Sequence, residues 1–194
     1  MMLSQVSVMG IEESMIAAGY SYKAERPKEH FIPVSNDRER NVARKLGNLP
    51  SNTGEDNFLS GIIAQFDMEA TNKLWVEAER YHFFQIVTSQ STMHRLSRMP
   101  MSTLYIPDVD PRIIDIMRDI QEEYNKNPTL ENFYRLVYSN PSGCLITARI
   151  TTNYRQLKTI YNQRHNHKLH EWQVFCEEIK QFPEFKELCL GGAC

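Results

Sequence analysis

Apolar positions recur at two different periods along the chain, and the change of period divides it into elements. Ile62-Ile63-Ala64-Gln65-Phe66-Asp67 follows Gly61 as a short apolar run with β-branched residues, the pattern of a buried strand. From Ala70 to about Val87 the period lengthens. Leu74, Trp75, Ala78, Tyr81, His82 and Gln85 recur at three-to-four spacing behind Thr71 or Asn72 as cap, which predicts one helix with an apolar, aromatic face. Asp110-Pro111 opens another helix through Ile113, Ile114, Ile116, Met117 and Ile120, because proline suits a first turn, and a further one begins near Thr129. Asn140-Pro141-Ser142-Gly143 is a turn, and Cys144 to Thr152 is β-branched enough to be a strand. Asn153 can cap a helix in which Leu157, Ile160, Tyr161 and Arg164 share the core-facing side. A last helix carries Leu169, Trp172, Val174, Phe175 and Ile179 and stops before Pro183.

Residues 25–60 break this regularity. Pro27, Pro33, Gly47, Pro50 and Gly54 punctuate a polar stretch that reads as a surface excursion, with room for a short helix from Asp37 to Leu46. Neither repeats nor low-complexity blocks occur, so the pattern predicts a single domain over residues 1–190 with residues 191–194 as a flexible tail. At 194 residues the chain can bury a core without disulfides or a structural metal. Its 22 Lys+Arg against 24 Asp+Glu, a formal charge of −2, exclude a generally basic nucleic-acid or membrane-surface binder. Glu12 and Glu13 interrupt the first apolar run, so no secretory signal is visible, and nothing approaches a membrane-spanning length. Cys144, Cys176, Cys189 and Cys194 form no C-x-x-C pair, which fits free thiols in a reducing cytosol and a cytoplasmic protein.

Several clusters carry candidate chemistry. Arg80 lies three residues beyond Glu77, so both side chains can serve one neighbourhood of a helix surface, as an anion clamp or as an ordinary solvated pair. The segment Thr88 to Arg98 is dense in hydroxyls and carries Arg95 and Arg98, donors suited to phosphate oxygens, although no glycine-rich cradle accompanies them. His165, His167, His170 and Glu171 suggest metal ligands. On a helix, however, His165 and His167 point about 200° apart, leaving at most a partial set, so no metal is expected. Arg164 is the more informative residue. A guanidinium on the inner face of a helix is costly unless it snorkels to the helix end or pairs with an anion, which can be a protein carboxylate or a ligand phosphate. No Ser-His-Asp or Cys-His signature is present.

Read together, these segments resemble the flavin-dependent thymidylate synthases, in particular short divergent members associated with phages. The last third carries the best match. From Pro141 to Trp172, Asn153, Arg155, Leu157, Arg164 and Trp172 fall on the family's proline-led strand, Asn-x-Arg-x-Leu helix and terminal tryptophan, with about one residue inserted before Trp172. Val8-Met9-Gly10 followed by Ala17 to Tyr22 looks like its opening strand and helix, and Phe58 precedes a strand as in its His-x-x-Pro-Phe region. Trp75 to Arg98 occupies the place of its Gln-x-x-Arg-His-Arg signature and phosphate loop, but with Glu77 for Gln, Arg80-Tyr81-His82 for Arg-His-Arg, and Gln90 to Arg95 for the Asn-Glu-x-Ser-x-Arg part. Val137 stands where an Arg four residues before Pro141 is usual.

The resemblance implies an α+β fold, a small sheet flanked by helices, assembling as a homotetramer with shared active sites. It implies transfer of a one-carbon unit from methylenetetrahydrofolate to carbon five of dUMP, with FAD hydride and NADPH as reductants. Arg164 becomes the catalytic candidate. Glu77, Arg80, Ser89, Ser91, Arg95 and Arg164 become the nucleotide side, and His82, Asn153, Arg155 and Thr159 the flavin side. Two alternatives accompany it: a folate-dependent pyrimidine deoxynucleotide hydroxymethylase without flavin redox, and a nucleotide-binding or assembly protein that retains the fold without turnover.

Overall fold

The protein is described by a computed structural model over residues 2–24, 34–51 and 53–192. Strands β1 (Met2–Met9), β2 (Ile63–Thr71), β3 (Gln85–Ser89) and β4 (Leu145–Asn153) form an antiparallel sheet in the order β1-β2-β4-β3. The strands expected at Ile62 and Leu145 are therefore its central pair, and the α+β architecture is the one expected. The helices are α1 (Ile11–Ala18), α2 (Asp37–Gly47), α3 (Asn72–Ala78), α4 (Thr92–Arg95), α5 (Pro111–Lys126), α6 (Leu130–Ser139), α7 (Tyr154–Arg164), α8 (His170–Ile179) and α9 (Phe185–Cys189).

Register decides what each sheet face can do. Phe66 stands opposite Ile150 and Met68 opposite Ala148, whereas Gln65 stands opposite Thr151 and Asp67 opposite Arg149. Successive side chains of a strand point to opposite sides, so one face is apolar and the other polar. The apolar face is buried, and Leu74 and Trp75 of α3, Leu157 and Ile160 of α7, and Trp172 and Phe175 of α8 complete its core. The polar face, with Gln65, Asp67, Glu69, Thr147, Arg149 and Thr151, stays partly exposed. A second core of Leu96, Met101, Leu104, Tyr105, Met117, Ile120 and Leu136 joins α5 and α6 to the chain after β3.

The cap residues act as expected: Thr71 Oγ1 accepts from the Leu74 N–H at 3.2 Å and Asn153 Oδ1 from the Gln156 N–H at 2.9 Å. The helices at Pro111 and after Thr129 are also present. The single helix expected over 70–87 is not. It ends at Ala78, the chain turns, and Ile86 and Thr88 pair with β4 opposite Ile150 and Arg149. Every residue of this edge strand is exposed, so it carries no buried alternation and its Gln85 to Val87 blend into the preceding helical period. The hydroxyl-rich stretch after it holds α4 and a 3-10 turn, Leu96–Arg98, rather than loop alone.

The excursion over 25–60 is only partly superficial. Residues 25–33 and 52, with Pro27 and Pro33, lie outside the described residues, but α2 packs on α1 and α9, and Asp56 and Leu59 are fully buried. Near the start, β1 ends at Met9 and Gly10 caps α1 at φ 81°, where a Cβ would stand 2.5 Å from the Gly61 carbonyl oxygen. Helix α1 stops at Ala18, and Tyr20–Tyr22 forms a 3-10 turn. Helix α9, beyond Pro183, was not anticipated. In the expected tail, the Gly191 N–H donates to Asn48 Oδ1, and residues 193–194 lie outside the described residues.

Candidate active site

The inner-face arginine finds a protein carboxylate. Arg164, at the end of α7, donates from Nη1 to Glu77 Oε2 at 3.3 Å and from Nε to the Tyr81 hydroxyl at 2.7 Å. Its guanidinium carbon lies 5.0 Å from the Trp172 ring centroid and 5.7 Å from that of Tyr81, and Nη1 stands 2.8 Å from His167 Nε2. Both Arg164 and Glu77 have side chains only 15% exposed. Trp172 Nε1 donates to Glu77 Oε2 at 3.0 Å, and Lys73 Nζ lies 3.3 Å from Oε1. Burial works against the Glu77 charge. Hydrogen bonds from Trp172 and Lys73, with the charges of Lys73 and Arg164, nevertheless hold its carboxyl below the usual range. The guanidinium is thus locked in one orientation by an ion pair, a phenol and two aromatic faces.

Arg80 does not join this cluster. Because α3 ends two residues earlier, Arg80 is exposed and makes no hydrogen bond or ion pair with the described residues, so the expected Glu77–Arg80 neighbourhood is replaced by Glu77–Arg164.

The flavin-side candidates gather at the other end of α7. Asn153 is its cap, and Thr159 Oγ1 donates to the Arg155 carbonyl at 3.0 Å. Arg155 donates from Nε to Asp56 Oδ1 at 3.2 Å and from Nη1 to Asn57 Oδ1 at 3.0 Å. Asp56 Oδ2 in turn takes a 3.0 Å bond from Lys158 Nζ, which also donates to the carbonyls of Gly47 and Leu49. Sequence reasoning missed Asp56 and Lys158, whose pairing spans 102 positions. The turn carrying exposed His82 and Phe83 is tied to the same helix start, with the Phe83 N–H donating to Gln156 Oε1 at 3.3 Å. Asn153 Nδ2 and Arg155 Nη2 meet no acceptor among the described residues, which leaves two donors of the kind that the oxygens of a flavin nucleotide accept from.

The third group lies on the opposite side of the sheet. Ser89, Ser91, Arg95 and Arg98 line an open groove of about 850 Å³ whose floor includes Asp67 and Arg149 of the polar face. Gln90 pins the loop to β4 by accepting from the Thr147 N–H at 3.0 Å, and Ser91 Oγ caps α4 through the His94 N–H at 3.3 Å. Arg95 and Arg98 are exposed and meet no acceptor among the described residues. The nucleotide-side candidates Arg95 and Arg164 are therefore separated within a chain, Arg164 with flavin-side Arg155 on the helix-covered side and Arg95 on the other.

The histidines disperse. His165 stacks on Tyr161 with centroids 5.2 Å apart, His167 faces Arg164, and His170 opens α8, because the chain between α7 and α8 turns rather than continuing as helix. Glu171 accepts from the Thr71 N–H and hydroxyl. Among the described residues no group of three His, Cys, Asp or Glu side chains is placed to hold a metal ion, and no described helix is long and apolar enough to cross a membrane.

No family model and no curated protein matches this sequence. Solved structures do. The flavin-dependent thymidylate synthase ThyX of Helicobacter pylori, complexed with FAD and dUMP, superposes with a TM-score of 0.77 at 10% identity over 98% of this chain and 99% of its own. A second structure of the same enzyme with FAD and dUMP gives 0.74 at 11% identity over 98% of each chain. PolB of Streptomyces cacaoi, a UMP/dUMP methylase bound with 5-Br dUMP, gives 0.68 at 13% identity over 95% of this chain and 92% of its own. The chain has the fold of the flavin-dependent thymidylate synthases.

Proposed function

We propose that this chain is a thymidylate synthase-like enzyme, transferring the one-carbon unit of methylenetetrahydrofolate to carbon five of dUMP with FAD and NADPH supplying the reducing equivalents. The observation that carries the reading is Arg164, a guanidinium fixed by Glu77 and Tyr81 and stacked on Trp172, in a helix whose start bears Asn153 and Arg155. Facing a uracil carbonyl oxygen, it stabilises the charge that develops as carbon five becomes nucleophilic. The carbon–carbon bond then forms at carbon five, the proton there is lost, and tetrahydrofolate departs. When bound and reduced by NADPH, the flavin would supply the hydride that converts the transferred unit to a methyl group. Asn153, Arg155, Thr159 and His82 would hold it.

Among the described residues no cysteine is suited to activating the pyrimidine as a thiolate. Cys144, Cys176 and Cys189 are buried, and burial pushes all three thiols up, that of Cys176 to about 12. Electrostatic activation by arginine does not need a thiolate.

The separation of Arg95 from Arg164 across the sheet supports a homotetramer in which one copy brings its groove to another copy's Arg164. Exposed Phe83, Val87 and Met93 near the β3 edge fit a surface covered on assembly. In this assignment Ser89, Ser91 and Arg95 take the phosphate, and Glu77 and Arg80 belong to the nucleotide side. The test is release of tritium from dUMP labelled at carbon five. The expected result is release that requires methylenetetrahydrofolate, with dTMP as the product and formed only when FAD and NADPH are also present. Release without flavin, with a hydroxymethyl product, contradicts the reading in favour of hydroxymethylation, and bound dUMP with no release contradicts turnover.

A further inference from the structure

The groove holds more than a phosphate loop. Arg98 is a second arginine without an acceptor beside Arg95, and the floor presents an acid where a purely anion-binding groove has no use for one. That acid, Asp67, is held by Arg149, whose Nη1 donates to Asp67 Oδ1 at 3.2 Å and to the Gln5 carbonyl at 2.9 Å. The Gln5 carbonyl reaches it through an irregularity in β1: the register slips between Ser4 and Ser7, and Gln5 adopts φ 50°. A non-glycine residue in the left-handed region is strained, and the strain persists where surrounding contacts hold it. Here it fixes Arg149 against Asp67. Asp67 Oδ2 meets no donor among the described residues, and Asp67 lines the groove.

We propose that Arg98 and the Asp67–Arg149 pair complete the groove as a site for a sugar phosphate, with Arg95 and Arg98 taking the phosphate and Asp67 accepting from a sugar hydroxyl. Two guanidiniums offer paired N–H donors to phosphate oxygens. A carboxylate whose charge is offset by its own arginine does not repel that phosphate strongly, and carboxylates are suited acceptors for sugar hydroxyls. A volume of about 850 Å³ exceeds what a phosphate ion needs and accommodates a nucleoside monophosphate. The inference rests on the proposed function for the nucleotide but assigns three residues that the resemblance does not.

Calorimetric titration of the intact chain tests it, with inorganic phosphate, dUMP and 2′,3′-dideoxyuridine 5′-monophosphate as probes. Wild type is expected to bind the dideoxy nucleotide about tenfold more weakly than dUMP, because one charged hydrogen bond is lost. Arg98→Gln, at an exposed position, weakens all three by a similar factor. Asp67→Ala weakens dUMP about tenfold while leaving inorganic phosphate and the dideoxy nucleotide unchanged. Equal binding of dUMP and its dideoxy analogue by wild type, a measurement independent of any variant's folding, overturns the role of Asp67. Insensitivity of phosphate and dUMP to Arg98→Gln overturns the role of Arg98 and leaves the proposed function standing. Deoxyribose 5-phosphate binding as tightly as dUMP supports the sugar-phosphate site and contradicts the nucleotide reading.

Discussion

At the residue scale the chemistry turns on how Arg164 is held. Its partners come from α3, the turn after it, and α8, so three separate segments fix one guanidinium. Arg164→Ala should abolish dUMP turnover while leaving the melting temperature within a few degrees of wild type, since Glu77 keeps Trp172 and Lys73. Full activity would contradict the assignment. Arg164→Lys should fare little better, because one ammonium cannot donate to Tyr81 and Glu77 while stacking on Trp172. Glu77 makes a pH prediction. Its folded pKa is lowered, so its stabilising contribution is present above the ordinary carboxylate value of 4.5 and is lost as pH falls through the folded value. Glu77→Gln should therefore destabilise the protein at neutral pH and flatten the loss of stability below pH 4.5, as read from urea midpoints. An unchanged acid limb would contradict it. The sequence made Arg164 conspicuous by placing a guanidinium among core positions. It did not name Glu77 as the partner, because the spacing also offered Arg80, and only the early end of α3 decides between them.

Among elements, those with a local signature were legible and those defined by distant partners were not. Thr71 and Asn153 announced helix starts through side-chain caps, and the β-branched run at Leu145 announced a strand. Strand β3 did not, being an edge strand exposed on both sides, and five-residue α9 is too short to show a period. The buried link between the segment after α2 and α7 is the plainest case. Lys158, Asp56 and Arg155 are ordinary surface residue types in sequence, yet Asp56 is fully buried and Lys158 nearly so. Asp56→Ala leaves a buried ammonium without its counter-ion and should cost about 3–5 kcal/mol, measured by chemical denaturation. Asp56→Leu combined with Lys158→Met should recover most of that loss, and additive losses in the double variant would contradict the clamp. Gly47→Ala should destabilise by about 1–3 kcal/mol, since its Cβ would stand 2.2 Å from the Leu188 carbonyl oxygen on the facing helix. A Gly47→Ala urea midpoint equal to wild type would contradict that packing.

For the whole molecule, the alternation of β2 and β4 puts aromatic core and Arg164 on one side of the sheet and the arginine groove on the other. A near-neutral chain thus brings two unpaired guanidiniums, Arg95 and Arg98, into one groove, and in the proposed assignment a neighbouring copy brings the two sides together. In the proposed assembly each site is built from two copies. Arg164→Ala and Arg95→Ala, each expected to be inactive alone, test this when co-expressed with different tags and purified as mixed assemblies. If sites are shared, random mixing restores both arginines to about a quarter of them, and tritium release from dUMP should return to that fraction of wild type. Mixed assemblies as inactive as either variant alone would contradict the account.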